Sequence, residues 1–121
     1  AANVALPISG NVSFVIALAC VPMVIAYRLG GLSFALTSRL MTARHITLFN
    51  IAADKRIAPE YLQNAATPEA LAQAVAERLD RPELRAEQIA EQTAALDLMG
   101  RGQPDPSAAA ADVVLSVVQA R

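Results

Sequence analysis

Ser9-Gly10-Asn11 stands between an apolar segment and a helical pattern, and a strand, a Ser-Gly turn and a helix N-terminus in that order form an anion site. Glycine lets the backbone approach a ligand, and the first free amides of the helix point at it. The Ser9 hydroxyl and the Asn11 amide add donors, so the guest these residues suit is a phosphate or diphosphate. The same pattern also makes an ordinary capped turn. Arg28 follows an apolar run and carries a permanent charge that can neutralise a phosphate, although an arginine after a strand is also a routine surface residue. Asn50, after Ile46-Thr47-Leu48-Phe49, has an amide that can donate to and accept from a sugar or phosphate without changing charge. At a strand end it is equally a turn former. Glu60 and Gln63 flank a predicted helix start, where a carboxylate is favourable with the helix dipole in any case.

The elements that must position these residues are legible in outline. Residues 4–6 read as the tail of a strand, and residues 11–19 as a helix buried on most sides. The unbroken apolar run over residues 23–27 is of strand length, as expected for a strand covered on both faces of a parallel sheet. After the Gly30-Gly31 turn, residues 32–42 read as a helix and 45–48 as the next strand. Alternating strands and helices predict a parallel sheet with helical crossovers. In such sheets ligands collect at the carboxyl ends of the strands, and Ser9-Gly10, Tyr27-Arg28 and Asn50 all fall at those ends. From Pro59 onward strand signals disappear. Thr67-Pro68 caps a helix whose apolar face is Leu71, Ala74, Val75 and Leu79. Asp80-Arg81-Pro82-Glu83 has capping-box spacing and opens a helix to about Leu98. Gly100-Arg101-Gly102-Gln103-Pro104 is a linker, and Asp105-Pro106 starts a last helix with Ala110, Val113, Val114, Val117 and Val118 on one stripe. The division expected is 1–100 for the α/β unit and 101–121 for linker and C-terminal helix.

A chain of 121 residues with 55% apolar residues builds one modest core and is no disordered tail. Net charge is −1, with five basic and two acidic residues in 1–60 against five and nine in 61–121. The cationic half holds the phosphate-type turn, which suits an anionic ligand, and no basic footprint for nucleic acid exists. Cys20 is the only cysteine and His45 the only histidine, so neither a disulfide, a zinc set nor a histidine triad is expected. Cys20, among Ala17, Leu18, Ala19 and Val21, reads as a buried inert thiol. Residues 12–26 are shorter than the roughly 20 needed to cross a bilayer and are divided by Pro22. They read as a helix followed by a strand.

The succession of Ser9-Gly10-Asn11, the Pro22-Met23-Val24-Ile25-Ala26-Tyr27-Arg28 strand, Arg39-Leu40, Asn50 and Pro59-Glu60-Tyr61-Leu62-Gln63 resembles the C-terminal part of lipid-A-disaccharide synthases. The resemblance runs from about Ala1 to the C-terminus and is most specific over residues 22–28 and 50–63. It implies part of a GT-B architecture of two Rossmann-like domains, no cofactor, and transfer of a diacylglucosamine unit from a UDP carrier to lipid X. It further implies donor contacts at Ser9, Gly10, Asn11, Arg28, Asn50, Glu60 and Gln63, with Asn50 catalytic, in the bacterial cytoplasm or at the inner membrane surface.

The chain departs from that pattern. Val15 stands where an acidic residue would hold the ribose, Asn3 replaces an Asp, Phe49 a Pro, and Asp54 and Arg56 the usual Gly and Glu. The general base of such enzymes belongs to a domain outside these residues, so the chain is expected to be inactive alone. A second class is a non-catalytic interaction or assembly module of the same descent. The wide apolar face of the last helix predicts self-association or helix exchange. Residues 32–44 combine apolar side chains with Arg39 and Arg44, a pattern that serves core packing or contact with a membrane surface.

Overall fold

The computed structural model describes residues 2–8, 11–28 and 45–120. At its centre lies the run Met23-Val24-Ile25, each residue fully buried. Side chains alternate across a strand, so Met23 and Ile25 share one face and Val24 takes the other; burial of all three requires cover on both sides. Strand β1, Ile25–Tyr27, pairs in parallel with β2, Glu60–Leu62, in the register Ile25 with Glu60 and Tyr27 with Leu62. On its other edge the chain leading into β1 meets the N-terminal segment through a parallel bridge between Ala5 and Met23, extended by the Ala26 amide donating to the Pro7 carbonyl at 3.1 Å. The expected short parallel α/β sheet is present, with β1 in the middle.

Helix α1, Asn11–Leu18, precedes β1. It is less enclosed than its apolar sequence predicts: Ser13 and Ala17 are buried, while Val12, Val15 and Leu18 face outward. Cys20 likewise is exposed and not buried. It occupies the left-handed position just past the helix (φ 54°), where the Cys20 amide donates to Ala17 O and the Val21 amide to Ile16 O. That bond pair is a Schellman stop, which turns the chain and leaves the thiol outside.

The strand expected over residues 45–48 is not formed. Residues 45–47 are followed by helix α2, Leu48–Ala53, which buries Phe49 and Asn50. Asn50 is therefore helical and does not end a strand. The strand beside β1 is instead β2, in the segment read as a helix start. Its three residues are each only half-buried, so no apolar run announced it.

A 3₁₀ turn, Gln63–Ala65, leads to α3, Pro68–Asp80, where Thr67 Oγ1 accepts from the Ala70 amide at 3.2 Å as the Thr67-Pro68 signature predicts. Helix α4, Pro82–Leu98, packs on α1, α2 and α3. Its N-cap is Arg81 with no side-chain cap bond, so the capping-box spacing at Asp80 is not used. Ala95 and Leu96 of α4 close the core with Ala17, Met23, Ile25, Phe49, Ile57 and Ala58. Gly100 and Gly102, both at positive φ, make the turn into α5, Pro106–Gln119, in which no residue is buried.

Candidate functional site

A parallel sheet gathers its ligands at the strand carboxyl ends. Arg28 and Gln63 each follow the last registered pair, Tyr27 with Leu62, and so share that end. Asn11 is exposed at the start of α1 and Arg28 is exposed after β1, while Gln63 is half-buried with φ at 52°. Ser9 and Gly10 lie outside the described residues, as do residues 32–42, for which a helix is expected. Tyr27 is half-buried beside Arg28.

Asn50 and Glu60 belong to the opposite, amino-terminal end of β2. Asn50 is fully buried. Its Oδ1 accepts from the amides of Ile57 and Ala58 at 3.0 and 3.1 Å, and its Nδ2 donates to the Ala58 carbonyl at 2.9 Å. The side chain thus clips the loop that enters β2 onto α2, replacing water for three main-chain groups that burial would otherwise leave unpaired. Glu60 Oε1 accepts from the amides of Ile46 and Thr47 at 3.1 and 2.6 Å, and Oε2 lies 3.8 Å from His45 Nδ1. A carboxylate on the amides that open α2 is also well placed for the helix dipole. The dipole argument made from sequence holds for this helix, through tertiary contact, rather than for one beginning at Pro59. The hydroxyl of Thr47 is buried there with no hydrogen-bond partner among the described residues.

A second set of enclosed polar contacts was not signalled by any motif. Gln88 and Gln92, one turn apart on α4 and both buried, reach back across the fold: Gln88 Nε2 donates to Met23 O at 2.8 Å and to Gln92 Oε1 at 2.9 Å, and Gln92 Nε2 donates to Val21 O at 3.2 Å. The one available clue was periodicity, since 88, 92, 95 and 96 fall on a single helical face with Ala95 and Leu96. Arg78 Nε donates to Gln88 Oε1 at 2.7 Å, extending this network to α3. Arg85 Nη1 closes the end of α3 by donating to the carbonyls of Arg78 and Leu79 at 2.6 and 2.7 Å.

Among the described residues no group of His, Cys, Asp and Glu could hold a metal ion, and no helix is long and apolar enough to cross a membrane. A short parallel sheet threaded by helices and followed by a helical segment defines the chain as a partial Rossmann-like α/β unit. A family profile described as lipid-A-disaccharide synthetase matches residues 1–114. The lipid-A-disaccharide synthase of Rhodospirillum centenum is 43% identical over 121 residues, all of this chain and 30% of that protein. Those of Rhodopseudomonas palustris strain BisB18 and Ruegeria pomeroyi are 40% and 38% identical, covering 98% and 95% of this chain and 30% and 28% of the relatives. The chain belongs to the lipid-A-disaccharide synthase family, a family of glycosyltransferases, and spans about 30% of the length of the first of these relatives.

Proposed function

We propose that this chain is the donor-side part of a lipid-A-disaccharide synthase, which moves a diacylglucosamine unit from its UDP carrier to lipid X. The observation that carries the reading is the family likeness over residues 1–114, joined to a parallel sheet with Arg28 and Gln63 at its carboxyl end. In this reading the amides at Ser9-Gly10-Asn11 cradle the diphosphate, Arg28 neutralises it, and Gln63 binds the sugar side. Asn50 and Glu60 serve by fixing the α2–β2 connection, so Asn50 acts as a positioning residue. The unit 1–100 carries the donor site, and 101–121 is a tether and helix. The site that holds the acceptor, and a base for the proton of its hydroxyl, come from elsewhere in the whole enzyme, and the chain alone is inactive. The enzyme works in the bacterial cytoplasm, at the inner membrane face where its lipid substrates reside.

Calorimetric titration with UDP tests this. Val15 is 62% exposed on α1, so Val15→Glu buries no charge. A carboxylate restored toward ribose hydroxyls is worth about 1.5–3 kcal/mol, or roughly tenfold to hundredfold in affinity. Arg28→Gln is expected to weaken UDP roughly tenfold. No UDP binding by folded Val15→Glu would support the second reading, a non-catalytic assembly module that associates through α5, whose valines 113, 114, 117 and 118 are all more than half exposed.

A further inference from the structure

The recess of about 240 Å³ at the amino-terminal end of β2 has Lys55 and Arg56 on one wall, Arg78 on another, and Glu87, Gln88 and Glu91 of α4 on the third. It lies at the end of the sheet opposite the strand carboxyl termini, and so apart from the proposed donor site. Its charges do not cancel in pairs. Lys55 Nζ is bound to Glu91 Oε1. Among the described residues, Arg78 and Arg56 have no carboxylate within ion-pair distance. Arg78, half-buried, donates to the neutral oxygens of Gln88 and Ala74 at 2.7 and 3.1 Å. Arg56 stacks over the Tyr61 ring at 5.6 Å and donates to the Glu60 carbonyl at 3.4 Å. Glu87 at the rim is the one acidic lining side chain outside the Lys55–Glu91 pair.

A guanidinium taken partly out of water without a carboxylate partner is the group that a multivalent oxyanion satisfies best, through parallel N–H donors. Gln88 holds the Arg78 fork and is itself anchored on Met23 O, so much of the ordering that binding requires is already in place. Burial keeps the Arg78 guanidinium below its ordinary value, with Arg56 pushing the same way against Tyr61 and Glu77. The recess is smaller than the roughly 300 Å³ at which pockets for drug-sized ligands begin, which limits the guest to a small group. We propose that Arg56 and Arg78 form a binding site for a phosphate dianion, free or as the head of a phosphomonoester lipid.

The test is titration of the chain with inorganic phosphate, followed by amide chemical shifts, at ionic strength held constant with chloride. Saturable shifts at Lys55, Arg56, Ile57 and Arg78 are expected, weakened at least tenfold by Arg56→Gln and strengthened severalfold by Glu87→Gln. Arg78→Gln should act like Arg56→Gln, but it loosens the Gln88 network, so the exposed Arg56 carries the test if that variant is unfolded. Flotation with phosphatidic acid vesicles then separates the sources: co-flotation lost in Arg56→Gln assigns the lipid headgroup, and its absence with phosphate still bound assigns the free ion. A linear response no different from chloride, or one unchanged in Arg56→Gln, overturns the proposal. Neither result bears on UDP binding at the other end of the sheet.

Discussion

Gln88 Nε2 sits 2.8 Å from the carbonyl oxygen of Met23, joining the middle of α4 to the residue that leads into the central strand. Both residues are buried, at 3% and 0% exposure, so no water can replace either partner. Gln88→Leu therefore leaves the Met23 carbonyl unpaired and frees Arg78 Nε, at an expected cost of about 1–3 kcal/mol. Chemical denaturation checks this as a lower midpoint with unchanged slope. A midpoint equal to wild type would mean that the contact contributes nothing net.

Asn50→Ala should be more damaging. It strands the amides of Ile57 and Ala58 and the Ala58 carbonyl inside the fold, and an expected loss of at least about 2 kcal/mol follows from the unpaired groups. Thermal melting is the first measurement and UDP calorimetry the second. If the variant keeps its melting temperature and loses only ligand, Asn50 contacts the donor directly.

Cys20 and Gly100 stand at equivalent helix stops with opposite residue chemistry. Cys20 has φ 54° and Gly100 φ 94°, a region in which an L side chain is strained. Cys20→Gly relieves that strain at some cost in unfolded-chain entropy, for an expected net gain of about 0.5–1 kcal/mol. Gly100→Ala is expected to lose about 1 kcal/mol. The penalty is conformational, because an added Cβ meets only Gln103 Cγ at 3.9 Å. Opposite shifts of the two melting temperatures would verify the pairing.

Arg81 Nε, donating to Glu83 Oε1 at 2.8 Å, holds the Glu83 carboxyl below its ordinary value, aided by the Glu83 backbone amide. A depressed carboxyl stabilises the fold above its unfolded value, roughly 4.3, and that contribution is lost as pH falls through the lower folded value. Glu83→Gln should remove this part of the acid-side decline and leave stability at the lowest pH unchanged. Denaturant midpoints of both proteins over the acid range measure it.

The valine stripe of α5 should drive association of the isolated chain. Val114 is 63% and Val117 57% exposed, so Val114→Lys with Val117→Lys disturbs no packing within the chain. Sedimentation should show concentration-dependent association for the wild type and a monomer for the double variant. A wild-type monomer at all concentrations would refute association through this face.

What the sequence determined was what neighbouring residues encode. Thr67-Pro68 and Asp105-Pro106 start helices because the capping oxygen and the proline act within three residues, and Thr67 Oγ1 and Asp105 Oδ1 accept from Ala70 and Ser107. The apolar run at 23–27 foretold a strand enclosed on both faces, which holds for residues 23–25 while Ala26 and Tyr27 are half-buried, and the strand–helix alternation foretold a parallel α/β sheet, though not its second strand. Tertiary structure decided the rest. Ile46-Thr47-Leu48-Phe49 has strand composition, yet it leads into α2, because Glu60, fourteen residues from Ile46, accepts its amide. The short strand at Glu60–Leu62 exists because β1 offers it an edge, and no local pattern required it. Asn50 was legible as a polar residue able to donate and accept, but the groups it serves were fixed by how a loop folds over α2. The glutamines of α4 bind carbonyls 65 and 71 residues away. Capping and periodicity operate along the chain, whereas a buried amide takes whichever main-chain group packing brings to it, and that is settled only when the core closes.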